Sequence, residues 1–156
     1  MSAASSTTRQ KVLRLLEWAF AVFGAAVCLA VVDLFALQQL DELWPLPGLY
    51  FIEIVLLGLL GVTSRLGDTN PASAALWGAI PWGVGGALLS FVILGGFSIG
   101  PFLIPAMLAF WLAGAIADLR QGRSIAGHLG LAVMAALFQG ALIFAVLFLF
   151  LSPQRH

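Results

Sequence analysis

Two acidic residues stand where a charge is expensive. Asp33 lies about four residues before the end of the first long apolar stretch, and Glu53 lies about five residues into the second. An ionised carboxylate inside hydrocarbon costs at least a few kcal/mol, so such residues tend to face a protein interior or a wet cavity. If antiparallel neighbours bring Asp33 and Glu53 to the same depth, the pair could hold a shared proton or bind a cation. The plainer alternative is that both sit shallow, near the headgroups, and reach water.

The remaining polar residues read as structural. Glu17 follows Arg14 by three positions, the spacing of facing residues on a helix, and is expected to pair with it. Asp118 and Arg120 are expected to mark where a helix leaves the lipid. His128 reads as interfacial, because no Cys, His or acid stands near it at metal-ligand spacing. Ser90 and Gln139 are expected to hydrogen-bond across helix contacts. The sequence contains no phosphate-cradling glycine loop with a lysine, no HExxH motif and no arginine-rich helix. Neither histidine, His128 nor His156, is placed to activate a serine or cysteine. No catalytic residue, metal site or cofactor is therefore expected. The net charge is zero, which offers no basic face to nucleic acid.

Small residues form a second pattern. Ala132, Ala136 and Gly140 recur every four residues, Gly83, Gly85 and Gly86 cluster, and Ala21, Gly24, Ala25 and Cys28 share another segment. Ala106, Ala109, Ala113 and Ala117 recur at spacings of three and four residues. Small faces let helix backbones approach closely, which substitutes for the hydrophobic drive that lipid removes. Ala132, Ala136, Gly140, Gly83 and Gly86 are the expected helix-packing positions.

The elements that must carry these residues follow from composition. Of 156 residues, 62% are apolar and 9% are charged. Soluble domains carry about 25% charged residues. So few charges cannot cover a chain of this size in water, and the remaining solvent is lipid. Five apolar segments, at about 13–37, 48–64, 73–96, 101–118 and 127–151, are each long enough or nearly so to cross the bilayer. Unpaired amides are not tolerated in hydrocarbon, so each is expected to be a helix. The expected architecture is an all-α, polytopic transmembrane bundle of five helices. A count of four would require one segment to be re-entrant. Residues 1–12, rich in Ser and Thr, read as a flexible cytoplasmic tail, 13–151 as one membrane domain, and 152–156 as a short C-terminal tail.

Punctuation supports these boundaries. Trp44-Pro45-Leu46-Pro47-Gly48 cannot continue a helix, and Asn70-Pro71 resembles an N-cap followed by a first helical residue. Gly95 to Pro101 is a tight connection that makes the third and fourth segments an antiparallel hairpin. Pro81 and Pro105 lie inside helical patterns, where a kink is expected. Trp18 and Trp77 fall near one interface and Trp44 and Tyr50 near the other, whereas Trp82 and Trp111 lie deeper and are expected to pack between helices.

Orientation follows from the cations. With the N-terminus in the cytoplasm and five crossings, Arg9, Lys11, Arg14, Arg65, Arg120 and Arg123 lie inside and Arg155 alone lies outside. A cleaved signal peptide is disfavoured because the first apolar stretch is longer than an h-region. Val27 before Cys28 is too large for a lipoprotein signal. A bacterial inner membrane fits the small size and charge distribution. The loops are too short for a soluble domain, so function must act through the helices. The first expectation is a non-enzymatic accessory or structural subunit, a homo-oligomer or part of a larger membrane complex. The second is a small transporter or ion or proton channel using Asp33 and Glu53.

Overall fold

The computed structural model describes residues 3–38, 46–67 and 74–151. The expected turns around Trp44-Pro45 and Asn70-Pro71, together with Asp41, Glu42 and Arg155, lie outside them. Five helices follow one another: α1 Ala3–Gln38, α2 Leu46–Gly67, α3 Ala74–Leu94, α4 Gly100–Gln121 and α5 Ile125–Leu151. All five are long and apolar enough to cross a membrane. The protein is an all-helical integral membrane protein.

The helix boundaries have local causes. Pro101 opens α4 in its first turn, where a missing N–H costs nothing. Gly122 closes it in the left-handed conformation, φ 66°, and the N–H groups of Gly122 and Arg123 both bond the Asp118 carbonyl. Pro81 and Pro105 stand inside helices that continue past them. The start of α1 differs from expectation. The segment read as a tail is helical from Ala3, so α1 runs 36 residues, about 54 Å at the usual rise. That exceeds the roughly 30 Å of hydrocarbon. Its polar first turns carry Arg9, Lys11 and Arg14, all exposed.

Four helices close a ring. α1 packs on α2, α2 on α3, α3 on α4, and α4 returns to α1, while α5 lies outside the ring, chiefly against α3. Phe110 of α4 fills the middle and is fully buried. Its ring seats against Gly24 of α1 and Gly61 of α2. A Cβ at Gly24 would lie 2.9 Å from the Phe110 ring, and Gly61 is closer still. The same device recurs with Trp82 over Gly114, Trp111 over Gly85, and Trp77 over Gly67. Several glycines therefore serve as sockets for aromatic rings rather than as points of backbone contact. Dispersion summed over such close contacts is what holds a bundle whose exterior is already in oil.

Backbone approach does occur between α3 and α5. Gly86 lies so close to the Ala132 carbonyl that no Cβ fits there. One and two turns on, the Ser90 hydroxyl donates to the Ala136 carbonyl, and Gly140 lies near the Ser90 oxygen, where a Cβ would be 3.8 Å away. Gly83 departs from the expected seam: nothing lies within 4 Å of where its Cβ would be. It borders an apolar groove of about 270 Å³ between α2, α3 and α5.

Candidate functional site

The strongest concentration of polar side chains is at one end of the bundle, where the start of α1, the end of α2, the start of α3, the end of α4 and the start of α5 meet. Glu17 of α1 is 1% exposed. Arg120 of α4 grips it with two nitrogens, Nε donating to Oε1 at 2.7 Å and an Nη donating to Oε2 at 3.3 Å. Arg65 of α2, also buried, places Nη1 3.7 Å from Glu17 Oε2. Its other Nη donates to the Trp77 carbonyl of α3 at 3.0 Å. Its Nε donates to the Ser64 hydroxyl at 3.2 Å, and that hydroxyl donates to the Gly61 carbonyl at 2.7 Å. One carboxylate thus ties three helices together, and a guanidinium extends the tie to the fourth. The planar, multi-donor fork of arginine suits this task in a way that lysine does not.

A second network lies beside it. Asp118 of α4 is fully buried. Its Oδ2 accepts from Trp82 Nε1 of α3 at 3.0 Å and lies 2.8 Å from His128 Nδ1 of α5. The His128 ring stacks on Trp82 at 6.5 Å and 29°. Asp118 Oδ1 is buried without a hydrogen bond. The Arg123 guanidinium lies over Gly78 of α3, where a Cβ would meet it at 2.7 Å.

These contacts correct three expectations. Glu17 pairs across the bundle with Arg120 and Arg65, not along its own helix with Arg14, which is exposed. Asp118, three residues before the end of α4, is not simply a marker of where that helix ends; it is an interior residue. His128 is engaged with it rather than simply interfacial. The reason is the same in each case. A charge held away from water is tolerated only when geometry supplies its counter-charge and donors, and in a bundle these come from neighbouring helices.

The acidic residues singled out from depth meet a different fate. Glu53 accepts a 2.6 Å hydrogen bond from Gln139 Nε2 of α5. Asp33 is exposed on α1. Among the described residues no hydrogen bond or ion pair joins the two. Ser90 and Gln139, expected to bond across helix contacts, both do so. α5 is thus fastened at three heights, by His128 to α4, by Ala136 to α3 and by Gln139 to α2.

Sequence reasoning missed Arg65, Ser64 and Trp82 as members of a cluster. The available signal was that Glu17, Arg65, Asp118, Arg120 and His128 all fall near the same end of the five segments. Chemically, the cluster is a buried ionic lock. Among the described residues, no three of His, Cys, Asp and Glu gather as a metal site would require. Comparisons with protein-family models, curated proteins and solved structures find no match to this chain.

Proposed function

We propose that this protein is a non-enzymatic accessory subunit that acts by lateral association within the bilayer, with its N-terminus in the cytoplasm. The observation that carries the reading is the outward face of α5. Gly127, Gly130, Met134, Phe138, Ala141 and Ala145 project from the side opposite the α3 seam, and all are exposed. Gly127 and Gly130 have nothing within 4 Å of a would-be Cβ. Four of these six residues are Gly or Ala, the residue types that on the other side let α5 lie against α3, and Met134 and Phe138 stand between them as exposed apolar side chains. The interior supports the same reading. Its middle is filled by Phe110, and its charges are spent on holding helices together rather than on lining a route. The transporter reading has less behind it, since Asp33 is exposed and, among the described residues, no hydrogen bond or ion pair joins it to Glu53.

The orientation rests on the cations. Arg65, Arg120 and Arg123 gather at the end where α1 begins with Arg9, Lys11 and Arg14, the arrangement of a cytoplasmic face.

Disulfide trapping in native membranes tests the association. In a Cys28→Ala background, Ala141→Cys should give a covalent adduct on mild oxidation, and adding Gly130→Phe should suppress it. A cysteine at Leu112, exposed on α4, serves as the control. If Ala141→Cys cross-links no better than the Leu112 control, and the chain extracts as a monomer in native lipid, the reading is wrong.

A further inference from the structure

A cavity of about 330 Å³ opens at the end of the bundle opposite the ionic lock. Its walls come from α1, α2, α3, the α3–α4 turn and α5, and they include the rings of Phe35, Tyr50, Phe51 and Phe91 with Ile143 and Leu147. The rings are held in place: Tyr50 meets Phe91 edge-on at 6.0 Å, and Phe35 meets Phe102 edge-on at 5.5 Å. The volume is that of a small-ligand pocket.

Among the described residues, the charges around it have one sign. Glu53 lies three residues after Tyr50, on the same face of α2. Its partner Gln139 lies one turn before the lining residue Ile143 of α5. Glu53 therefore stands between the lining residues Tyr50 and Ile54, beside the cavity without being part of its wall, and is held there by Gln139. Asp33 lies two residues before Phe35. Among the described residues, the charged side chains of this half are Asp33 and Glu53, and every Lys, Arg and His belongs to the opposite end. α3 also ends at the cavity, at Leu94 and Gly95, and a helix C-terminus favours positive charge. Aromatic faces attract cations, more strongly when water is excluded. In a low-dielectric surround, carboxylates act over longer distances than in water.

We propose that this aromatic cavity binds a lipophilic organic cation, such as a quaternary ammonium or phosphonium, with Glu53 as the counter-charge. The rings supply the apolar and cation–π contact, and the carboxylate discriminates a cation from a neutral molecule of the same shape. The binding is independent of lateral association, because α5 contributes Ile143 and Leu147 from its inward face and not its lipid face.

Equilibrium dialysis of the full-length protein in detergent, with tetraphenylphosphonium as probe and neutral triphenylphosphine oxide as comparison, tests the proposal. The cation should bind saturably, one per chain, and roughly tenfold or more tighter than the oxide. Glu53→Gln should weaken the cation by about tenfold and leave the oxide unchanged. Leu147→Trp, which fills the cavity from its rim, should abolish both. If Glu53→Gln does not fold, Phe51→Leu keeps an apolar wall, removes a ring and should weaken the cation more than the oxide. Equal binding of cation and oxide would overturn the proposal and leave a plain site for an apolar chain. So would cation binding that survives Leu147→Trp, or no saturable cation binding at all.

Discussion

Removing the charge of Glu17 should destabilise the bundle far more than removing Arg120. In the intact cluster one carboxylate, 1% exposed, faces two guanidiniums, at 2.7 Å from Arg120 and 3.7 Å from Arg65. Glu17→Gln leaves two cations converging on a neutral amide. Breaking a buried pair by neutralising one partner costs about 3–5 kcal/mol, and the repulsion left between the arginines places this variant at the upper end. Arg120→Met leaves a carboxylate with one remaining guanidinium, a balanced pair. The Arg120 side chain is 20% exposed, so its loss is discounted for screening and should cost about 1–2 kcal/mol. The double variant Glu17→Leu with Arg120→Met should be less destabilised than the sum of the singles by about 1–3 kcal/mol, since residues in one network are coupled. Reversible unfolding by SDS in mixed micelles reads these differences, followed by circular dichroism and by the fluorescence of Trp77 and Trp82 beside the cluster. A Glu17→Gln variant within about 0.5 kcal/mol of the wild type would mean that water solvates the cluster, and the reasoning from burial would fail. Equal losses for Glu17→Gln and Arg120→Met would refute the claim that charge balance, rather than the number of contacts, sets the cost.

Two further outcomes are expected. Gly86→Ala should detach α5 from α3 at a cost of about 1–3 kcal/mol, because the added methyl must displace the Ala132 backbone. Gly83→Ala, which meets open space, should be neutral or stabilising by about 0.5–1 kcal/mol. The same unfolding titration compares them, and an equal effect of the two would contradict the placement of the seam. Reporter fusions should place the N-terminus in the cytoplasm and the C-terminus on the far side. A cytoplasmic signal from a C-terminal fusion would exclude an odd number of crossings.

The helices were legible because their cause is one-dimensional. Long apolar runs interrupted by Gly95 to Pro101 and by Gln121 to Ser124 must coil in lipid, whatever they later touch. The gathering of Arg65, Arg120 and His128 at one end was implicit in the same alternation, since each reversal of direction returns the chain to that side. The pairing within that end was not legible. A spacing of three residues made Arg14 the natural partner of Glu17, yet the side chain of Glu17 turns into the ring of helices and meets Arg120, over a hundred residues away. Depth along a helix can be counted from its ends, but the direction a side chain takes around the helix depends on which neighbour it packs against.

The glycines show the same division. Their frequency announced close packing, and the amino-acid sequence alone determined that five apolar segments span a bilayer with their cations biased to one end. Only the tertiary structure decided that Gly24 and Gly61 receive a phenylalanine ring, that Gly86 receives a backbone carbonyl and that Gly83 receives nothing. It likewise decided that Glu53 turns to Gln139 and not to Asp33. The physical reason is that hydrophobicity acts locally and without direction, so it can be read along a chain. Ion pairs, hydrogen bonds and ring sockets are directional and short-ranged, and they exist only once the helices have chosen their neighbours and their rotation.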